Sequence, residues 1–429
     1  SVIVDFGLSN LLQREIAQKP EQTARLVNAT LLLKTGYGFT AVVVGMLLLR
    51  LLDQPPHTVN MVAIAMAVML FDSFNLTIWS AFRGHHKLQY ESASIVASQC
   101  IVLAVGLVGL RFDARLEILV AALLAGSMFT TMIAVAMCRK QLNFWPHPSF
   151  APFGHGRLWR ESFSFGLASA FTRVFASIDS VLLGQMVGKA AVGFYAVPNK
   201  VVFAAQFIPA AFAAAIYPAM SHYHLHDQKK MIVIFRQALM LLFLLAMPMT
   251  IGLFLLTPAI IRELYTGAYD PSILAMQILV WGIIFGFLEF PLGSLLAATG
   301  QQHKNSITRA AVMIVNVVLN ILLIPKYSYL GTSIAALISY AVLAGMGFYW
   351  TRAYLRTATE LARSAVKILA ASVLMGLAVY LLRPFTHFTL SIVAGMIVYS
   401  ALIIGFRVVT PSQARLLLGQ VRGREPDVL

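Results

Sequence analysis

A chain of 429 residues with 59% hydrophobic and only 11% charged side chains, and a mean hydropathy of +0.79, lies far from the roughly 25% charged content of soluble domains. This composition excludes a soluble globular protein. The net charge of +15 would suggest nucleic acid in a soluble chain, but here the bases fall between apolar runs, where topology and anionic headgroups account for them.

The first apolar stretch, Val2 to Ile16, is short and interrupted by Asp5 and Arg14. It reads as a truncated spanning helix, and with no basic n-region or small-residue cleavage site it is a poor secretory signal. Twelve apolar runs follow, each about the length that crosses roughly 30 Å of hydrocarbon at 1.5 Å per residue. Six lie at 26–52, 58–80, 91–110, 116–138, 159–184 and 192–218, and six more at 232–257, 272–298, 305–325, 328–352, 363–382 and 385–407. Connections are short except 139–157, which carries Pro146, Pro148, Pro152, Gly154 and Gly156. The predicted organisation is an N-terminal lobe over 1–145, a cytoplasmic linker over 146–157, a C-terminal lobe over 158–356, and two additional helices with a tail over 357–429. Cys100 and Cys138 fall in separate apolar segments, so no disulfide framework or metal motif can be built from them.

Assigning alternate connections to opposite sides puts 22 of the 32 bases on one side and 7 on the other, with Lys34, Arg173 and Lys200 inside spans. The positive-inside rule makes the richer side cytoplasmic, and the C-terminus with it. At an offset of 217, the segment from Ser80 to Lys87 lines up with that from Ala297 to Lys304, and Asp72 falls on Glu289. Both copies lie on spans of the same orientation, which predicts a parallel repeat and two similar bundles around a cleft.

The run Phe165-Gly166, Ile178 to Gly184, Ala191 to Tyr195 and Tyr217-Pro218 resembles the start of the second half of Wzx-type polysaccharide flippases. Leu296 to Gln301, Asn316, Asn320, Ile324-Pro325, Tyr329 to Gly331 and Ser333 to Ala335 resemble the later helices of that family. Asp5 to Leu8 and Arg14 to Ala17 are similar to the end of its second helix. The resemblance places the chain in the multidrug, oligosaccharidyl-lipid and polysaccharide exporter (MOP) superfamily. It implies an all-α, MATE-like bundle of two lobes plus two extra C-terminal helices, with the first helix absent. It also implies translocation of undecaprenyl-diphosphate-linked sugar repeat units across the bacterial inner membrane, for O-antigen or exopolysaccharide synthesis, beside polymerase machinery.

Ionisable residues inside spans are informative because each costs about 2.5 to 3.5 kcal/mol at the bilayer centre. Arg173, Lys200 and Lys34 are expected to line a cationic cleft that grips a diphosphate, Arg through a bidentate fork and Lys as a point charge. The competing reading is that the lysines snorkel to an interface and Arg173 pairs with Asp179. Asp72 and Glu289 stand as proton-coupling candidates, against an ordinary structural hydrogen bond. Asp179, Asn316, Asn320 and Thr332 form a second set, with Asn316 and Asn320 on one helical face and hard oxygens suited to sodium; asparagines also join helices with no ion present. His222, His224 and His226 read as an exposed polar turn rather than a metal site. Gly282 and Gly286 have the spacing of close helix packing, and Pro198, Pro209, Pro248 and Pro291 are hinge candidates.

The expected activity is therefore a flippase working by alternating access with an H+ or Na+ coupling ion, without covalent chemistry. A MATE-like drug or cation antiporter is the alternative, disfavoured because three bases repel organic cations. A membrane glycosyltransferase or ligase is the other, disfavoured by the lack of a DxD motif and by short outer loops.

Overall fold

The computed structural model describes residues 8–51, 55–85, 87–112, 116–149, 177–265, 267–355, 359–383 and 387–408. Where lipid replaces water, backbone groups must be satisfied within the segment, and the chain answers with helices. Among the described residues, ten helical stretches are long and apolar enough to cross a membrane. They account for eleven of the twelve predicted runs, for two reasons. Most of 159–184 lies outside the described residues, and the runs at 305–325 and 328–352 are joined in a single helical stretch, Gln302–Leu355.

The chain divides into two compact units, Ser1–Arg173 and Val174–Leu429. In the first lie α1 (Leu8–Gln18), α2 (Thr23–Leu51), α3 (Pro56–Gly84), α4 (Leu88–Phe112) and α5 (Leu116–Leu142). Leu12 and Ile16 of α1 pack with Leu26, Val27 and Leu31 of α2 and Ala81 of α3. A second cluster joins Ile78, Trp79 and Phe82 of α3 to Ala134 and Cys138 of α5. Association in lipid relies on van der Waals packing and small residues rather than on a hydrophobic drive. Gly84 shows why: a Cβ there would sit 2.7 Å from Ile16 Cγ2.

The second unit holds a helix over 177–186, here α6, then α7 (Lys189–Ala205), α8 (Phe207–His226), α9 (Gln228–Leu264), α10 (Ser272–Leu279), α11 (Gly282–Ala298) and α12 (Gln302–Thr351). Next come α13 (Thr359–Leu382) and α14 (Phe388–Gly405). The last two pack on α9 through Met247, Ile368, Ala371 and Ile403. Gly282 permits a close approach, whereas Gly286 has room for an ordinary side-chain contact. A Cβ at Gly282 would lie 3.0 Å from the Tyr340 ring, and one at Gly286 would lie 3.7 Å from Gln206 Nε2.

Three breaks refine the predicted runs. The run 192–218 divides at Gln206, because Pro209 has no N–H and its ring crowds the carbonyl four residues back. The run 272–298 divides at 280–281, where the Val280 carbonyl accepts from Ile283 N at 3.0 Å and from Thr250 Oγ1 at 3.5 Å. Inside α12 the chain breaks at Ser328, with φ 53° and ψ −134°, three residues after Pro325. A Cβ at Gly331 would fall 2.5 Å from the Leu323 carbonyl oxygen, so only glycine allows the second arm to leave the break this closely. The break makes two arms, 302–327 and 329–351, and brings residues of both near α6 and α7.

Candidate functional site

Two arms of α12 and the pair α6 and α7 build a buried polar cluster in the second unit. Asp179 of α6 is 8% exposed, and Asn316, Asn320 and Thr332 are essentially inaccessible. The Asp179 carboxylate accepts from Tyr195 Oη at 2.8 Å and from Asn320 Nδ2 at 2.8 Å. Asn320 Nδ2 also donates to the Asn316 carbonyl at 3.0 Å and to Asn316 Oδ1 at 3.2 Å, the contact that i, i+4 spacing allows. Asn320 Oδ1 and Thr332 Oγ1 are buried without a hydrogen-bond partner among the described residues. Buried oxygens left without partners cost free energy on the order of 1 to 3 kcal/mol each, and the cluster sets the Asp179 carboxylate beside amide oxygens of which Asn320 Oδ1 has no partner among the described residues. That is the chemistry of a small-cation site.

The four residues read from the sequence as one set thus occur on α6 and the two arms of α12, with Asp179, Asn316 and Asn320 in direct contact. Tyr195 was not foreseen as part of it. Its sequence signals are its place at the end of the motif Ala191 to Tyr195 and an aromatic hydroxyl within an apolar helix sixteen residues after the aspartate.

The other candidates have separate surroundings. Glu289 of α11 pairs with half-exposed Arg309 of α12 at 2.8 Å, a partner that the sequence did not single out. Asp72 of α3 is exposed and accepts from Ser127 Oγ of α5 at 2.6 Å, while Asn75 Nδ2 donates to the Ser127 carbonyl at 3.2 Å. Lys34 of α2 is fully buried in the first unit, where Nζ donates to Ser9 Oγ at 2.9 Å and to the Ser73 carbonyl at 3.1 Å, tying α1, α2 and α3 together. Lys200 is exposed on α7 in the second unit, and Arg173 lies outside the described residues. The first unit also contains a bidentate pair absent from the sequence reading, Arg83 with Glu91, with Nε to Oε2 at 2.8 Å across the turn from α3 to α4.

The profile of the family described as polysaccharide biosynthesis protein matches residues 1–224, more than half of the chain. The chain belongs to the polysaccharide biosynthesis protein family. A second profile, MatE, matches residues 165–322, so the Wzx-type, MOP-superfamily membership implied by the sequence motifs is borne out. A Shigella flexneri protein named "Putative O-antigen transporter" is 22% identical over 349 residues, covering 78% of this chain and 82% of its own length. Among solved structures, lipid II flippase MurJ in an inward closed conformation superposes with a TM-score of 0.77 at 15% identity, over 95% of this chain and 89% of that one. An inward-facing multidrug resistance MATE family transporter of the MOP superfamily gives 0.70 at 15% identity, over 83% and 88%. These likenesses bear out the expected fold class, an all-α membrane bundle of the two-lobe MATE and MurJ type.

Proposed function

We propose that this family member is a flippase that carries undecaprenyl-diphosphate-linked oligosaccharide repeat units from the cytoplasmic to the periplasmic leaflet of a bacterial inner membrane. The observation that carries the reading is the family match over residues 1–224. It is supported by the fold shared with a lipid II flippase and by the relative named for O-antigen transport.

The polyprenyl tail stays in lipid while the headgroup crosses, so the protein must exchange hydration of a diphosphate for fixed donors. Arg173 and Lys200 supply two cations for that exchange, the guanidinium by a planar fork and the ammonium by a point charge. Lys34, held by Ser9 and the Ser73 carbonyl within the first unit, contributes only in a conformation that opens those contacts. Coupling is by a monovalent cation, sodium, at Asp179, Asn316, Asn320 and Thr332. The support for this choice is the buried Asn320 Oδ1 beside the Asp179 carboxylate, without a hydrogen-bond partner among the described residues, an acceptor that a cation would satisfy. Glu289 and Asp72, with their partners Arg309 and Ser127, are the proton-coupling alternative. The C-terminus is cytoplasmic in this scheme, following the bias of 22 bases against 7. The product is a periplasmic lipid-linked unit for a polymerase.

A MATE-like exporter of organic cations is the competing function, and ligand binding separates the two. The purified protein is expected to bind lipid-diphosphate oligosaccharide, with a salt-sensitive affinity, and to bind tetraphenylphosphonium weakly if at all, as read by isothermal calorimetry. Tight binding of the lipophilic cation with no response to the lipid diphosphate would hand the assignment to the exporter.

A further inference from the structure

Along one side of the first unit, α3 and α5 leave an open groove of about 750 Å³, inside the usual range of ligand sites. Its walls are Phe71 of α3 and a single face of α5, with Met128, Met132 and Val135 among the exposed or half-buried apolar groups. Its end is different in kind. Arg139 and Lys140, in the last turn of α5, and Trp145, just beyond it, close the groove with two cations and an indole. No ion pair of Arg139 or Lys140 is recorded among the described residues, whereas nearby Arg83 is neutralised by Glu91. Bases at a helix C-terminus are favoured by the dipole alone, but that does not account for the indole or for the segment that fixes it. Asn143 turns the chain with φ 56°. His147 N then donates to Asn28 Oδ1 at 3.0 Å and Ser149 N to the Asn28 carbonyl at 3.3 Å, strapping the segment to α2. The strap holds Trp145 with its ring centre 5.7 Å from the Arg139 guanidinium carbon, at cation–π distance and in the amphipathic role that indoles fill at membrane interfaces.

We propose that this groove is a binding site for an anionic bilayer phospholipid, with the phosphate on Arg139 and Lys140 and an acyl chain along Phe71, Met132 and Val135. The long apolar wall matches a hydrocarbon chain, and the paired cations at one end match a headgroup of opposite charge. A sugar-bearing carrier fits less well. Among the described residues, Thr131 is the groove's one uncharged polar side chain besides the indole, and its hydroxyl already donates to the Ser127 carbonyl at 2.9 Å. Among the described residues, no carboxylate or amide lines the wall to accept from sugar hydroxyls. The inference rests on the first unit's geometry and stands independently of the transport reading.

The test compares lipid retention by the full chain in nanodiscs containing equal phosphatidylglycerol and phosphatidylcholine, with retained lipid counted by native mass spectrometry. The wild-type protein is expected to keep one phosphatidylglycerol with about tenfold preference, and brominated phosphatidylglycerol should quench a fluorescence component that Trp145→Phe removes. Joint Arg139→Gln and Lys140→Gln substitution should bring the preference down close to parity, since each base near an anionic surface contributes a several-fold factor, with phosphatidylcholine retention unchanged. Exchanging the pair instead, Arg139→Lys with Lys140→Arg, should retain it. Equal retention of the two lipids by the wild-type protein would overturn the proposal without recourse to any variant. So would an unchanged preference in the glutamine pair, or displacement of phosphatidylglycerol by an equimolar polyprenyl diphosphate, which would give the groove to the transported lipid.

Discussion

Asp179→Asn is expected to abolish sodium-dependent stabilisation of the protein and to slow headgroup translocation by about tenfold or more. Of the residues gathered at the junction of α6, α7 and the α12 arms, Asp179 alone carries a formal negative charge, and it receives both Tyr195 and Asn320. Asparagine has nearly the same volume, so packing survives. What changes is the charge and one acceptor, which becomes an NH2 group facing the donors of its neighbours. If the cluster holds sodium, a concentration ten times the dissociation constant adds about 1.4 kcal/mol to the wild-type stability, and the variant loses that increment. The measurement is thermal unfolding in sodium against choline at matched ionic strength. If the cluster only fastens helices together, wild type and variant will both be indifferent to the cation. Tyr195→Phe should give a smaller loss, because it removes one donor to the carboxylate and leaves the carboxylate in place.

The second large effect is expected from the bases assigned to the diphosphate. Arg173→Ala should reduce translocation by about tenfold or more, in keeping with the 1.5 to 3 kcal/mol carried by hydrogen bonds to charged groups. Lys200→Ala should reduce it less, because an ammonium lacks the bidentate geometry. Both losses should appear as weaker binding of the lipid diphosphate in filter or calorimetric assays and should shrink at high salt, where exposed charges are screened. Parental binding and rates in both variants would remove these two residues from the substrate site.

The spanning helices were legible because a run of about twenty apolar residues has few alternatives in lipid. The Asp179, Asn316 and Asn320 grouping was legible in part for a related reason. Polar side chains stand out in an apolar background, and i, i+4 spacing fixes their common face. Partners across helices were not legible. Glu289 and Arg309 lie twenty residues apart, and nothing local in the sequence selects that arginine over the other bases near helix ends. Ser127, which caps Asp72, and Ser9, which receives Lys34, are small residues whose part depends on which helix lies opposite. The break at Gln206 was half visible in Pro209. The division at 280–281 was not, because no breaker residue stands there. Ser328 likewise carries no turn signature of its own, although Pro325 before it and Gly331 after it bracket the reversal.

Translocation itself is the most direct measurement of the proposed activity. Purified protein is reconstituted into liposomes loaded symmetrically with undecaprenyl-diphosphate oligosaccharide, the outward headgroups are cleaved by an added glycosidase, and the inward pool is followed as it emerges. With a sodium gradient, the inward pool is expected to become accessible severalfold faster than in protein-free vesicles, and faster than with Arg173→Ala. Emergence at the protein-free rate, from vesicles whose protein still binds the lipid diphosphate, would contradict the flippase assignment.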